Sequence, residues 1–460
     1  MSTTNGIKLF PYQKEGVIAI ENFGGRVLLS DSMGMGKTIQ VLVALRRNPS
    51  WLPALIVCPS SVKYNWEIEA HRLGMQSSIC EGEKPPIYNG RDFNTLSPLT
   101  IINYDILKHW VKYLKKLKLK SIVLDEGQYL GNPRAQRTRA ARELSQRSSQ
   151  VMVLSGTPLT NRPAELWSLL NILWPDQFES FWSYAQDHCN PKYRPWGWDF
   201  SGSSNLPQLH DRLRQLGMIR RRKEDVLKDL PDKIRRIVPC QLSDEKEYKE
   251  ASTDFLSWLR KNYGHKVGTV SKVEKLARVG YLLRLIAKLK LRSVVDWANR
   301  FLEETDEKLI LFAVHKKCID VLERRIHAQS VTVDGSVTGR KRQVAVDQFQ
   351  NDKKTRVFIG NIKAAGVGIT LTAASEVGFV EFWWNPGTHA QAEDRPHRIG
   401  QKKTVWANYF VATGTIEHDL CKLLQKRQAV ISTVLDGGTM QTDLNLWDEL
   451  VQVLEQGTKP

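Results

Sequence analysis

Residues 26–47, RVLLSDSMGMGKTIQVLVALRR, combine three features in one run: a short apolar stretch, a glycine-containing loop, and KTIQVLVALRR with apolar residues at helical spacing. Strand, loop and helix in that order form a phosphate cradle. Backbone N–H groups of the loop turn toward phosphate oxygens, and the positive end of the helix dipole lies behind them. The full phosphate-loop pattern asks for Gly-x-x-x-x-Gly-Lys-Thr, and Asp31 stands where its first glycine belongs. Gly34 and Gly36 give the loop its backbone freedom, Lys37 would meet the β- and γ-phosphates of a nucleotide, and Thr38 its magnesium ion. A glycine-rich structural turn is the alternative for the loop taken alone.

Outward from this loop, further apolar runs alternate with helical patterns: ALIVCP (54–59), LTIINYD (99–105), SIVLDE (121–126) and VMVLSGT (151–157). The rhythm returns after residue 305 with KLILFAVH, SVTVDG, TRVFIGN, EVGFVEFWWN and VWANYFVATG. Continuous Val/Ile/Leu runs separated by helices mark parallel sheets covered on both faces, so an α/β fold with two lobes is expected. The stretch from 162 to 305 reads as mostly helical and contains the aromatic-rich WPDQFESFWSYAQDH. The expected organisation is a first lobe over 1–230 with a helical insertion near 162–220, a linker and helical protrusion over 231–305, and a second lobe with C-terminal brace helices over 306–460.

Composition narrows the partners. The 460 residues carry a net charge of +18, which favours a polyanionic partner, and 41% hydrophobic and 25% charged residues are globular values. No apolar run is long enough for a membrane span, and the N-terminus lacks the pattern of a secretory signal. Six scattered cysteines without a C-x-x-C pair lead us to expect free thiols, an intracellular protein and no structural metal. The lysine-rich KHWVKYLKKLKLKS (108–121) reads either as a DNA-facing ridge or as a solvated helix surface.

Two further motifs suit phosphate chemistry. SIVLDEGQ ends an apolar run in Asp125 and Glu126, at the edge of a parallel sheet where ligands bind. Asp125 can hold the magnesium shell and Glu126 can orient and deprotonate a water, although an acidic strand end is also a common cap. In QAEDRPHRIGQ (391–401), Arg395 and Arg398 are three apart, which on a helix places both guanidinium groups on one side. Borne by the second lobe, they would reach a nucleotide held by the first only on lobe closure. A solvated basic helix is the alternative.

Taken in order, LFPYQKEGV, DSMGMGKTIQ, LIVCPSSVKYNW, LDEGQYLGNP, LSGTPLTNRPAELWSLLNIL, MIRRRKEDVLKDLP, VDGSVTGRKRQVAVDQFQ, AAGVGITLTAASEV and WNPGTHAQAEDRPHRIGQ resemble the motif series of the Swi/Snf-type DNA translocases in helicase superfamily two, from residue 8 to residue 435. The resemblance implies two RecA-like lobes, ATP with magnesium, and DNA-dependent ATP hydrolysis. It accounts for Asp31, because the family carries Asp-x-Met-Gly-x-Gly-Lys-Thr. Gly127, where relatives more often have Ala or Ser, is expected to loosen the link from hydrolysis to motion. The resemblance further implies that Gln13 reads the adenine edge and that Thr157 couples nucleotide to DNA. It implies that Gly366 and Gly368 let backbone approach nucleotide and strand, and that Lys63, Thr160, Asn161, Ser336 and Thr372 line the DNA. Trp384 sits where relatives place a tryptophan near the minor groove, with core packing as the alternative.

The function expected from this resemblance is ATP-driven movement on double-stranded DNA by a monomer. The wording of QAEDRPHRIGQ and CPSSVKYNW is closest to the annealing-helicase branch, whose members remodel forks and branched DNA by branch migration, fork reversal or strand annealing. Displacement of proteins from duplex DNA is a second expected task. A nucleotide-gated DNA clamp with little hydrolysis is a rival of another class, as is a one-lobed P-loop kinase. With no zinc or chromatin-reader module in the sequence, a compact bacterial or phage protein of the cytoplasm is expected, or a nuclear one in a eukaryote.

Overall fold

The computed structural model describes residues 8–83, 97–159, 162–195, 197–253, 274–337, 339–365, 368–383, 385–417, 420, 424, 431 and 433–437. The chain divides into two compact units, Met1–Asp229 with Arg427–Asp443, and Leu230–Lys426 with Leu444–Pro460.

Among the described residues the first unit is built on a seven-stranded parallel sheet. Its strands are β1 (Arg26–Leu29), β2 (Ala54–Cys58), β3 (Ser77–Ile79), β4 (Leu99–Asn103), β5 (Ser121–Asp125), β6 (Gln150–Leu154) and β9 (Met218–Ile219), ordered β3-β4-β2-β5-β6-β1-β9. β7 (Lys192–Arg194) and β8 (Gly197–Asp199) form a separate antiparallel hairpin. The helices are α1 (Pro11–Asn22), α2 (Lys37–Arg47), α3 (Lys63–Arg72), α4 (Tyr104–Leu114), α5 (Gln136–Ser145), α6 (Trp167–Leu173), α7 (Phe181–His188), α8 (Leu206–Leu216) and α9 (Lys223–Val226). All five residues of β2 and of β4 are buried, which is why these strands read as unbroken apolar runs. On α4, Leu107, Trp110 and Leu114 are buried while Lys108 and Lys112 are exposed, so the lysine-rich stretch begins as the solvated face of a core helix.

The second unit carries a six-stranded parallel sheet among the described residues: β10 (Lys233–Cys240), β11 (Leu309–Ala313), β12 (Ser330–Val333), β13 (Val357–Asn361), β14 (Glu376–Phe379) and β15 (Val405–Ala412), ordered β10-β15-β14-β11-β13-β12. Its helices are α10 (Glu245–Thr253), α11 (Glu274–Glu304), α12 (Lys316–Arg325), α13 (Gly339–Asn351) and α14 (Pro386–Glu393). These are the two RecA-like α/β lobes of the expected fold class.

Three segments differ from the sequence expectation. β10 lies in the stretch read as linker; it is an edge strand, and Pro239, which has no N–H, is tolerated there. β9 joins the first sheet from inside the expected helical insertion, and two residues are too few to show a period. Arg427–Asp443 groups with the first unit, where Ile431, Val434 and Leu435 are buried in its core, although the whole of 306–460 was assigned to the second lobe.

Candidate nucleotide site and nucleic-acid contacts

The loop between β1 and α2 has the left-handed turns its glycines foretold, with φ of 78° at Gly34 and 74° at Gly36, the N-cap of α2. A side chain at Gly36 would also place its Cβ 2.5 Å from Gln13 Nε2. Lys37 Nζ donates to the Asp31 and Ser32 carbonyls at 2.7 and 3.3 Å, so the ammonium closes the loop on itself. Burial holds its pKa below the usual lysine value, against the opposing pull of Glu126, Asp31 and Asp125. Thr38 follows in the first turn of α2.

Asp31 does not face a phosphate. Its fully buried carboxylate accepts from Arg221 N, Nε and Nη2 at 3.1, 2.9 and 2.5 Å, and from Gln40 Nε2 at 3.1 Å. Arg221 also donates to Gln40 Oε1 at 2.8 Å and to the Tyr12 carbonyl. The residue that interrupts the glycine pattern is thus the anchor of the loop, and its partner lies 190 residues along the chain. Gln13 is committed to the same loop: Nε2 donates to the Met35 carbonyl at 3.1 Å while Oε1 accepts from Phe10 N at 3.1 Å.

Asp125 ends β5, and Glu126 follows with φ of 51°. Asp125 Oδ2 accepts from Trp66 Nε1 at 2.8 Å and Oδ1 from Glu126 N at 2.9 Å. Burial and the neighbouring Glu126 push the Asp125 carboxyl up to about 7. Burial and Glu126 thus disfavour the charged form of Asp125, and Lys37 offsets them only in part. That is the condition a divalent cation carried with a nucleotide phosphate relieves, so these side chains fit ATP and magnesium. Bound there, the cation would draw charge from the phosphate oxygens. Lys37 and the loop amides would hold the phosphates, Thr38 and Asp125 the cation, and Glu126 a water.

From Glu126 a chain of hydrogen bonds leads to the next motif. Gln128 Nε2 donates to Glu126 Oε2 at 2.7 Å, Ser155 Oγ to Gln128 Oε1 at 2.6 Å, and Thr157 N to Ser155 Oγ at 3.2 Å. Sequence reasoning named Thr157 and Glu126 but not the Gln128–Ser155 link between them. Gly127, expected to loosen the link from hydrolysis to motion, sits in a closely packed position. A Cβ there would lie 2.4 Å from Val153 Cγ1 and 2.7 Å from Leu169 Cδ1, so the missing side chain lets β6 and α6 close against it.

In the second unit the helical reading of QAEDRPHRIGQ is corrected. α14 ends at Glu393, and Arg395 and Arg398 follow in turns around Pro396, which cannot continue a helix. They nevertheless converge. Nη1 of Arg395 and of Arg398 donate to the Ile369 carbonyl at 3.2 and 3.3 Å, and Arg398 Nη1 also to Thr370 Oγ1 at 2.8 Å. Gly368, one residue earlier, has φ of 75°. The motif's acids point elsewhere: buried Glu393 takes a two-pronged bond from Arg235 at 2.6 and 2.7 Å, with Lys233 and Tyr409 OH adding to it.

The expected DNA-lining residues come from both units. Lys63 is buried and donates to the Cys80 carbonyl at 3.1 Å, so its charge is turned inward. Ser336 is exposed and bonded to Asp334, while Thr372 Oγ1 accepts from Gln350 at 3.1 Å. Thr160, Asn161, Gly366 and Trp384 lie outside the described residues. Neighbouring Trp383 is half-buried against the second core, with Lys363 Nζ 3.4 Å from its ring centre.

Residues 12–290 match the model of the SNF2-related domain, and residues 290–400 that of the helicase conserved C-terminal domain. The chain belongs to the SNF2-related family. Members of this family are DNA-dependent ATPases of helicase superfamily two. Over 430 residues the chain is 36% identical to the SWI/SNF-related matrix-associated actin-dependent regulator of chromatin subfamily A-like protein 1 of Xenopus tropicalis, covering 93% of this chain and 45% of the relative. Over 444 residues it is 34% identical to human DNA annealing helicase and endonuclease ZRANB3, covering 94% of this chain and 40% of the relative. The SNF2-related chain thus spans less than half the length of these relatives. It is also similar, at 23% identity and a TM-score of 0.45 over 99% of this chain and 98% of the other, to the Sulfolobus solfataricus SWI2/SNF2 ATPase core in complex with dsDNA. Both of these sequence relatives are animal proteins, so the expectation of a bacterial or phage member finds no support in them. Among the described residues no helix is long and apolar enough to cross a membrane.

Proposed function

We propose that this chain is an ATP- and magnesium-dependent motor that moves on double-stranded DNA as a monomer and remodels branched or forked DNA. The observation that carries this reading is similarity over 94% of the chain to a protein named as a DNA annealing helicase. The first unit supports it chemically: Lys37, Asp125 and Glu126 lie within electrostatic reach of one another, and the Gln128–Ser155 chain runs from the water-activating carboxylate to Thr157. Gln13 at the adenine and Thr160, Asn161, Ser336, Thr372 and Trp384 along the DNA belong to this reading, as do Gly366 and Gly368 at the nucleotide. Lys63 would join them only by leaving the Cys80 carbonyl.

The net charge of +18 suits a phosphate backbone bound without sequence preference. ATP hydrolysis stimulated by linear duplex, single-stranded and four-way-junction DNA of equal nucleotide content tests the reading. Stimulation strongest with the junction, together with ATP-dependent movement of that junction, is the expected result. Strong stimulation by linear duplex with no junction effect would transfer the task to displacement of bound proteins. DNA binding without phosphate release would identify a clamp.

A further inference from the structure

The hairpin β7–β8 in the first unit has no part in the nucleotide site, yet it carries large aromatic rings into solvent. Tyr193 is 73% exposed, Trp198 49% and Trp182, on α7, 39%. Exposed clusters of large apolar side chains mark interaction surfaces, whereas scattered ones do not. These are clustered: Tyr193 pairs directly with Trp198 across the ladder, their ring centres 5.4 Å apart at 73°, and Trp198 meets Trp182 at 4.7 Å and 74°. Two strands of three residues are marginal on their own. The hairpin is held because the ring row continues inward, Trp182 to Phe200 at 6.0 Å and Phe200 to Phe181 at 5.0 Å. Edge-to-face contacts of this kind anchor the rings and leave ring surface uncovered at the tip.

The ribbon is two-faced. Side chains alternate along a strand, so Lys192 and Arg194 project from the face opposite Tyr193 and Trp198. Asp199 Oδ2 stands 3.7 Å from Arg194 Nε, with the guanidinium 45% exposed; so loose a surface pair leaves the cation able to take a phosphate.

Resting on the branched-DNA reading above, the geometry points to β7–β8 as the element that engages a DNA branch point: Tyr193 stacks on an unpaired or terminal base that Trp198 meets edge-on, and Lys192 and Arg194 meet the phosphates of the adjoining arm. Aromatic faces with neighbouring cations are the means by which proteins hold unstacked bases of any sequence. A linear duplex hides its base faces within the stack, whereas a fork or junction exposes base faces beside a second arm's phosphates. The two faces of the ribbon match that pairing of chemistries.

The test compares ATPase stimulation by linear duplex and by a forked DNA of equal length, together with quenching of 2-aminopurine placed at the unpaired position beside the fork. Tyr193→Ala, which removes a mostly exposed ring, and the double variant Tyr193→Ala/Trp198→Ala are expected to keep the linear-duplex response. They lose the 2-aminopurine quenching and roughly tenfold in apparent fork affinity. Tyr193→Phe/Trp198→Phe, which keeps the rings, retains both. Lys192→Ala/Arg194→Ala lowers fork affinity and makes its salt dependence shallower. If both alanine variants keep the fork preference and the quenching, the proposal is wrong and the patch falls to a protein partner. A wild type without fork preference would overturn the branched-DNA reading itself, a different result from a wild-type preference that survives loss of the rings.

Discussion

Gly127 has no room for a methyl group. With Val153 Cγ1 2.4 Å and Leu169 Cδ1 2.7 Å from where its Cβ would stand, Gly127→Ala must push β6 or α6 away from the Glu126 turn. Overpacking of this kind costs roughly 1–3 kcal/mol, so a lower urea midpoint is expected, with turnover reduced because Glu126 moves. An unchanged midpoint would mean that the two neighbours simply yield. At the nucleotide itself, Lys37→Ala removes the charge proposed to meet the phosphates, so ATP turnover is lost. It also removes the bonds to the Asp31 and Ser32 carbonyls, so a modest fall in melting temperature accompanies the loss. Turnover like that of the wild type would overturn the assignment. Glu126→Gln keeps a group that can bond Gln128 but removes the base, so slow turnover with retained DNA affinity is expected. Equal loss of ATP binding and turnover would make Glu126 structural. The residue types at this site were legible in the sequence because phosphate chemistry restricts them. The partner of Asp31 was not, since nothing local in DSMGMGKT points to Arg221.

At the scale of elements, α14 rests on a buried imidazole. His389 Nε2 accepts from Trp383 N at 2.9 Å, and burial pushes the ring down to about 4 despite the nearby Glu393. Because the folded value lies below the unfolded one near 6.5, the unfolded chain binds the extra proton between these limits. Stability from this group is therefore complete above pH 6.5 and lost as pH falls toward 4, by at most about 3 kcal/mol. Urea midpoints across that window should fall with acid in the wild type and fall less in His389→Gln. Parallel slopes would show that the imidazole takes up its proton without cost. β10 depends on charge: Arg235→Ala leaves buried Glu393 with Lys233 and Tyr409 alone, and a loss on the order of 3 kcal/mol is expected in second-unit stability. KIRRIVPC was not legible as a strand because its cations look like solvent-facing charges, whereas Lys233 and Arg235 pair with Glu393 and Arg236 with Glu376.

For the molecule as a whole, the chain leaves the first unit after Asp229 and rejoins it at Arg427. Ile431, Val434 and Leu435 enter the first core, Arg220 Nε bonds Asp436 at 2.9 Å, and the same guanidinium reaches the Ser30 carbonyl at 2.7 Å and the Gly156 carbonyl at 3.2 Å. Burying each of those apolar side chains is worth roughly 1.5–3 kcal/mol, so ending the chain at residue 426 should destabilise the first unit and expose apolar surface to a dye such as ANS. A first unit of unchanged stability would make the segment an accessory. The net charge of +18 leads to the last expectation: DNA affinity falls steeply with salt and is indifferent to scrambling of the duplex sequence. A strong sequence preference would require base contacts that no expected site residue supplies.

The ten apolar runs marked along the chain all became strands of the two parallel sheets, and the loop, the carboxylate pair and the two arginines could be named from their spacing. These features are local. Hydrophobic period, glycine turns and strand-end acids act within a few residues and leave their trace in sequence order. Tertiary structure decided what joins distant residues: the clamp of Arg221 on Asp31, the edge strand held by Glu393, and the C-terminal segment returned to the first core. It also placed both arginines on the Ile369 carbonyl although Pro396 had ended the helix expected to align them. Such pairings follow from which surfaces meet after the sheets form, and no short window of sequence contains both partners.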